Sequence, residues 1–235
     1  MAAADLLQRL RGRLVVSVQA QAGSVLGDAA TIALLARCVV LNGAAAVRIE
    51  GAERIRAVRA AVDVPVIGLI KRAHAGFEPY ITATLDEVRE IVAAGAEIVA
   101  FDATARPHPN DASVADFVAA IHGLGRAAMA DCATLADGRG AAEAGADIVA
   151  TTLAGYTGET AGRTLPAFDL LAQLAAVHPF AVCEGGIGAP AEARAAFSAG
   201  AAAIVVGTAI TNIDLLTRRF AEVVPGTPSG APRRT

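Results

Sequence analysis

Short apolar runs recur along the chain, and segments of helix length separate them. Eight runs, some counted with the turn that precedes them, occupy residues 15–18, 42–49, 66–70, 94–101, 127–130, 144–151, 180–183 and 199–206. Continuous apolar runs of this length are typical of buried parallel strands. Four of them begin with related phrases, whose glycines at positions 43, 95, 145 and 200 lie 50 to 55 residues apart. This regular alternation predicts an α/β protein, a single (β/α)8 TIM barrel built from four double units.

The segments between the runs carry the signals of helix ends. Thr84 and Glu87 predict a capping box for a helix over 85–94, while Ser113 and Thr134 are expected to cap helices over 114–122 and 135–144. Residues 4–11 predict an extra N-terminal helix across the bottom of the barrel. From residue 225 the chain is rich in proline, glycine and serine. We therefore predict one barrel domain over 1–224 and a disordered tail over 225–235.

Composition, net charge and cysteine content exclude several classes of protein function. A chain of 235 residues suits one domain, and its 54% hydrophobic but only 4% aromatic residues predict an aliphatic core. The net charge of −3 offers no basic surface for nucleic acid or for an anionic membrane. Cys38, Cys132 and Cys183 are odd in number and far apart, so we expect them to be reduced and mostly buried. Without a spanning stretch or a signal core, the sequence predicts a soluble cytoplasmic protein.

The stretch from residue 179 to 210 combines two strands, an intervening helix and glycine-rich turns. Pro190 is expected at the start of the helix and Gly200 just past its end. The turns after the two strands contain Gly185-Gly186 and Gly207. Such turns, placed before helix N-termini, form phosphate sites, and in eight-fold barrels phosphate often lies after strands seven and eight. We predict a phosphate site here, with a tight turn that binds nothing as the alternative.

Polar side chains follow nearly every predicted strand. They are Gln19, Arg48, Lys71, Asp102, Asp131, Thr151 and Glu184, with Gly207 after the eighth strand. A barrel gathers these positions into one ring at its C-terminal end, where the active sites of this fold lie. A strand that leaves the core can also turn polar without any function, which suffices for Thr151 and Gln19. This alternative explains poorly why residues of opposite charge should meet at one end of the barrel.

Several motifs, taken in order, give the chain a family resemblance. They are SVQAQ at 17–21, VRIEG at 47–51, VIGLIKR at 66–72, YITAT at 80–84, FDATARP at 101–107, AMADCATL at 128–135, TTLAGYT at 151–157, CEGGI at 183–187 and VVGTAIT at 205–211. Through them the chain resembles the N-acetylmannosamine-6-phosphate 2-epimerases over nearly its whole length. The resemblance implies a TIM barrel without metal or cofactor that interconverts N-acetylmannosamine 6-phosphate and N-acetylglucosamine 6-phosphate in sialic acid breakdown.

The resemblance also implies roles for particular residues. Lys71 and Glu184 match the catalytic lysine and glutamate of the family, and Gln19, Arg48 and Asp131 match further residues of its motifs. To these we add as substrate-binding candidates the hydroxyls of Thr152 and Tyr156 and the phosphate turns, which comprise Gly185, Gly186, Gly207 and Thr208. Epimerisation at C2 needs a base and an acid, and a lysine is a base near neutral pH only when its pKa is lowered. Asp102 is expected to anchor Lys71 or Arg48, and an ion pair between Lys71 and Asp131 is possible at the same time.

The chain departs from the family pattern around the phosphate. Asn212 stands where the family usually has an arginine, and of a basic cluster after the fourth strand only Arg106 remains. Two other functions therefore stay open: a lyase or aldolase that forms a Schiff base on Lys71, and a barrel that binds a phosphosugar without catalysis. The four histidines lack the spacing of metal ligands. The sequence does not fix the oligomeric state, and a homodimer is the working expectation.

Overall fold

Eight parallel strands close into a barrel in the computed structural model, which describes residues 3–225 apart from the side chain of Asn110. Each strand pairs with its neighbours in chain order, and β8 closes the ring on β1. The strands are β1 Leu14–Val18, β2 Ala46–Glu50, β3 Val66–Leu69, β4 Ile98–Asp102, β5 Ala127–Asp131, β6 Ile148–Ala150, β7 Ala181–Glu184 and β8 Ala203–Val206. The predicted (β/α)8 barrel is confirmed. Apart from Pro225, the predicted tail lies outside the residues that the structure describes.

Helices surround the barrel, and one lies beneath it. They are α1 Ala3–Leu10, α2 Ala29–Leu41, α3 Ala52–Arg59, α4 Leu85–Ala93, α5 Val114–Gly123, α6 Leu135–Glu143, α7 Phe168–Val177, α8 Pro190–Ser198, α9 Thr208–Thr211 and α10 Ile213–Ala221, with single 3-10 turns at Pro109–Asp111 and Gly158–Thr160. The capping box of α4 forms as the sequence predicted, and Ser113 and Thr134 cap α5 and α6 as expected. The last two are also complete capping boxes, because the side chain of the third helical residue bonds the N-cap backbone in return. The helix ends differ from the predicted ones by about one residue.

The core has two layers, as strand alternation requires. One cluster lies inside the barrel and another lies between strands and helices, and successive residues of a strand belong to opposite clusters. In β3, for example, Ile67 and Leu69 belong to the inner cluster while Val66 belongs to the outer one. Leu6 and Leu10 of α1 join the inner cluster. The extra helix therefore closes the bottom of the barrel, where the sequence predicted it.

The same alternation decides which side chains reach the barrel mouth. Arg48 lies within β2, not after it as the sequence suggested, and shares the inward face of that strand with Ala46. At β6 the inward residue is Thr152. Thr151, which the sequence placed in the ring, is buried and bonds the backbone of Glu184. An error of one residue in locating the end of a strand thus assigns the wrong side chain to the inward face.

The cysteines are free, but they do not share one environment. Cys132 and Cys183 are buried, and burial raises the pKa of the Cys183 thiol to about 11. Cys38, on α2, is exposed, so the expectation of burial is wrong for that residue. No disulfide is present among the cysteines of the chain, as their spacing predicted.

Candidate active site

A cavity of about 700 Å³ opens at the C-terminal end of the barrel. Its walls include the ends of the strands, the loop after β6, the glycine turns after β7 and β8, and one side of α10. Charged residues that line it are Arg48, Lys71, Glu184 and Arg219. A concave site of this size, with a few convergent polar groups, suits a small polar ligand.

Arg48 is the buried centre of the charged network. Its side chain is 1% exposed, and its two terminal nitrogens bond Asp131 Oδ2, at 2.5 Å, and Glu184 Oε2. Burial disfavours the positive charge, but the two carboxylates together outweigh that cost and raise the pKa of Arg48. Its Nε donates to no residue that the structure describes. The guanidinium is therefore held firmly while one donor remains unused.

Asp131 lies beneath Arg48, with none of its surface exposed. It accepts hydrogen bonds from Arg48 and, at 2.6 Å, from the Thr152 hydroxyl. Burial raises the pKa of Asp131 to about 6, and the charge of Glu184 acts in the same direction, against the attraction of Arg48. At neutral pH it is still mainly a carboxylate. Its position fits a role in holding Arg48 and Thr152 rather than in touching a ligand.

Glu184, the last residue of β7, has one oxygen bound and one available. Oε2 accepts from Arg48 and lies 3.2 Å from the Thr152 hydroxyl. Oε1 accepts no hydrogen bond from any residue in the described range 3–225. The side chain is 12% exposed and lines the cavity. Glu184 is thus oriented by its neighbours and can still exchange a proton.

Lys71 lies two residues beyond β3, on the opposite side of the mouth. Its side chain is exposed within the open cavity, yet the surrounding walls partly desolvate it. This desolvation, followed by the nearby charge of Arg48, lowers the pKa of Lys71 from its ordinary value of 10.5. Within residues 3–225 the ammonium has no ion-pair partner. The ion pair with Asp131 that the sequence allowed does not form, because Asp131 pairs with Arg48.

The backbone next to Lys71 is fixed by a segment of the chain that returns alongside it. Lys71 forms a bridge with Ile81, and the buried residue Thr82 bonds Ile70 twice. The Thr82 N–H donates to the Ile70 carbonyl at 2.7 Å, and the Thr82 hydroxyl accepts from the Ile70 N–H at 3.2 Å. Thr82 has φ 45°, a costly conformation for a β-branched residue. The strained residue therefore holds the segment that presents Lys71.

The turns proposed for phosphate leave little room for side chains. Gly185 and Gly186 have φ values of 101° and 80°, which strongly favour glycine. A Cβ on Gly186 would lie 2.4 Å from that of Leu165, and one on Gly207 would lie 3.2 Å from that of Ser17. Substitution of either glycine therefore disturbs protein packing, in addition to any effect on a bound phosphate. Both turns line the cavity.

Comparison with known proteins identifies the family. The family described as "Putative N-acetylmannosamine-6-phosphate epimerase" matches residues 32–225. The chain belongs to this epimerase family. A relative in Synechococcus elongatus, "Putative N-acetylmannosamine-6-phosphate 2-epimerase", is 44% identical over 94% of this chain and 97% of its own. The "Bifunctional enzyme NanE/NanK" of Brucella melitensis is 42% identical over 94% of this chain but only 42% of its own.

A solved structure supports the same assignment. The N-acetylmannosamine-6-phosphate 2-epimerase from Clostridium perfringens superposes with a TM-score of 0.90 at 39% identity. The superposition covers 93% of this chain and 96% of that one. The epimerase family and the TIM barrel that the sequence motifs predicted are both confirmed.

In this member of the epimerase family the predicted site residues come together at one place. All but one of them line the cavity: Gln19, Arg48, Lys71, Thr152, Tyr156, Glu184, Gly185, Gly186, Gly207 and Thr208. The exception is Asp131, which lies beneath Arg48. Asp102 does not anchor Lys71 or Arg48, because it is buried against Arg106 at 2.6 Å. Arg106 also contacts Glu78, so both residues belong to a separate cluster.

Among the cavity residues that the sequence did not predict, two carry groups that can bind or exchange protons. Tyr80 lies on the segment that returns to Lys71, next to the bridge at Ile81, and Arg219 lies on α10. Burial, and then the charge of Asp131, raise the pKa of Tyr80, so its hydroxyl stays protonated. Neither residue follows a strand, so the pattern that located the others could not find them.

The described part of the epimerase chain gives two further findings. No group of three or more His, Cys, Asp or Glu side chains within it is arranged to hold a metal ion. None of its helices is long and apolar enough to cross a membrane.

Proposed function

We propose that the protein interconverts N-acetylmannosamine 6-phosphate and N-acetylglucosamine 6-phosphate, with Lys71 and Glu184 as the two groups that exchange the C2 proton. Membership of the epimerase family and the similarity to the Clostridium perfringens enzyme support the reaction. The geometry of the mouth supports the two residues.

The observation that carries the assignment is the placement of Lys71 and Glu184. They follow β3 and end β7, which lie four strands apart in a closed ring of eight. The two side chains therefore approach a ligand at the barrel axis from opposite sides. Epimerisation requires removal of the C2 proton from one face and delivery of a proton to the other. Two proton-exchanging groups on opposite walls meet that requirement.

The chemistry proceeds through the open-chain sugar, in which C2 lies next to the C1 aldehyde. One residue takes the C2 proton, and the electron pair of the C–H bond moves into an enolate whose charge lies on the C1 oxygen. The opposite residue then gives a proton to the other face of C2. In the reverse reaction the two residues exchange roles, so each acts once as base and once as acid. Overall, the substrate gains and loses one proton, and no redox step occurs.

The other cavity residues would bind the oxygens of the substrate. We assign the guanidinium of Arg48 and the side-chain amide of Gln19, which both line the cavity, to the developing enolate or the N-acetyl group. The hydroxyls of Thr152 and Tyr156 are placed as further hydrogen-bonding groups. We assign the 6-phosphate to the amide groups of the turns at Gly185-Gly186 and Gly207-Thr208.

The test is C2 exchange in deuterated water. Purified protein incubated with N-acetylmannosamine 6-phosphate should lose the C2 proton signal and form the glucosamine epimer, followed by proton NMR. Borohydride added during turnover should leave no adduct on Lys71. Absence of exchange would exclude the proposed reaction and favour a binding protein. A borohydride-trapped adduct would instead favour a Schiff-base mechanism.

The location and assembly of the protein remain predictions. We infer a cytoplasmic homodimer from the metabolic role of a phosphosugar substrate and from the sequence. Fractionation of cells and light scattering of the purified protein test these two points separately.

A further inference from the structure

The cationic side chains that line the cavity are not equally available to bind an anionic ligand. Within residues 3–225, the cations that line it are Arg48, Lys71 and Arg219. Arg48 is already neutralised by Asp131 and Glu184. Lys71 must give up its proton during the proposed reaction, so its charge is not constant. Arg219 alone of these three can supply a lasting positive charge.

Arg219 is well placed for this purpose on α10. Leu215 and Leu216, one helical turn earlier, line the same cavity, so this side of the helix forms part of its wall. The wall also includes Gly186, Gly207 and Thr208. Helical side chains lean towards the N-terminus, which for α10 is the end that adjoins the turn after β8. Arg219 therefore lines the same cavity as the turns assigned to the phosphate, and helical geometry favours a side chain that leans towards the end of α10 next to the β8 turn.

Arg219 also has no bonding partner among the described residues, unlike Arg218 and Asn212. Its side chain is exposed and forms no hydrogen bond or ion pair with any residue that the structure describes. The adjacent Arg218 donates to Gln21 on the loop after β1. Asn212, nearer to the turns, accepts from the Leu215 N–H at 3.0 Å and so caps α10. Its Oδ1 is therefore occupied in holding the helix.

We propose that Arg219 binds the phosphate of the substrate and supplies the positive charge of the phosphate subsite. The proposal rests on the proposed function, since it concerns the same cavity. A guanidinium presents several donors in a planar fork that matches phosphate oxygens, so it adds charge to a site otherwise built from neutral amides. Because Arg219 lies at the open edge of the cavity, solvent and salt will weaken the contact.

The experiment compares Arg219→Gln with Arg218→Gln, a matched change at the next position that removes an equal charge outside the cavity wall. Steady-state kinetics are measured with N-acetylmannosamine 6-phosphate at low and at near-physiological salt. We expect Arg219→Gln to raise KM about tenfold with little change in kcat, and to flatten its dependence on salt. Arg218→Gln should change KM by no more than about twofold. Arg219→Lys should restore part of the affinity.

A second measurement needs no turnover. Inorganic phosphate, titrated by calorimetry, should bind more weakly to Arg219→Gln than to wild-type protein or Arg218→Gln. Equal KM, equal salt dependence and equal phosphate affinity in the two glutamine variants would overturn the role of Arg219. Failure of the wild-type protein to exchange the C2 proton would instead contradict the proposed function, and the phosphate titration would still decide the role of Arg219.

Discussion

Replacement of Lys71 by methionine tests the catalytic assignment most directly. The change keeps most of the aliphatic stem and removes the amine that would exchange the C2 proton. Loss of a general acid or base costs about 100-fold or more in rate, so we expect kcat to fall at least that far. At about 1.4 kcal/mol for each factor of ten, this is roughly 3 kcal/mol or more of lost transition-state stabilisation.

The structure also predicts what Lys71→Met leaves unchanged. The side chain is exposed in the cavity and has no ion pair within residues 3–225. The backbone bridge to Ile81 and the Thr82 bonds to Ile70 do not involve the amine. The free energy of unfolding should therefore change by no more than about 0.5 kcal/mol. A loss of activity with unchanged stability would separate chemistry from folding.

The assay is the rate of C2 deuterium incorporation by NMR, with denaturant unfolding measured on the same protein. Arg72→Met is the matched control, because it removes the neighbouring cation, which pairs with Glu87 and Glu90. Arg72→Met should retain near-normal exchange, since its ion pairs lie away from the cavity. If Lys71→Met kept more than about a tenth of the wild-type rate, Lys71 could not be one of the two groups.

Three further predictions follow from the site. The pH profile of kcat/KM should contain a limb that belongs to Lys71, with its midpoint below 10.5 because the pKa is lowered; a limb that persists in Lys71→Met would contradict this. Because no cluster of metal ligands occurs among the described residues, activity should survive exhaustive EDTA treatment, and loss that Mg²⁺ or Zn²⁺ restores would refute it. Thr82→Val should lower the free energy of unfolding by about 1–3 kcal/mol, since the buried Ile70 N–H loses its hydroxyl acceptor; Thr82→Ser, the control, keeps the hydroxyl, and an equal loss in both would disprove the reason given.

Strand periodicity accounts for what the sequence predicted well. Because residues on a strand alternate between two faces, the last inward position of each strand reaches the mouth, as Lys71 after β3 and Glu184 on β7 do. The errors arise where the end of a strand was misplaced. The apolar run is interrupted by Arg48 and resumes at Ile49, and the hydrogen-bonded ladder of β2 continues to Glu50. Hydrophobic residues indicate which positions are buried. A strand that contains a buried, paired charge is therefore assigned an earlier end from the sequence than it has in the structure.

The rest of the site depends on contacts between distant parts of the chain. Asp102 follows the same pattern as Asp131, but local geometry ties it to Arg106, four residues away, whereas Asp131 meets Arg48 across the barrel. Arg219 reaches the cavity only because α10 packs beside the turn after β8. Sequence spacing can indicate which residues share a helix face. It does not indicate which wall of the barrel that face will join.

The buried Arg48 network is better explained by catalysis than by stability. Removing a guanidinium and two carboxylates from water costs several kcal/mol per ion, and apolar residues of similar volume often stabilise a protein more. The network instead fixes one oxygen of Glu184 and leaves the other unbonded within the described residues, while the charge of Arg48 also lowers the pKa of Lys71. One buried cation thus orients Glu184 on one wall and tunes Lys71 on the opposite wall, the two groups proposed to exchange the proton. An enzyme that removes a proton from one face of a carbon and adds one to the other needs an oriented acid–base group and a second group with a lowered pKa. Arg48 lies near both candidates, so a single side chain can provide both effects.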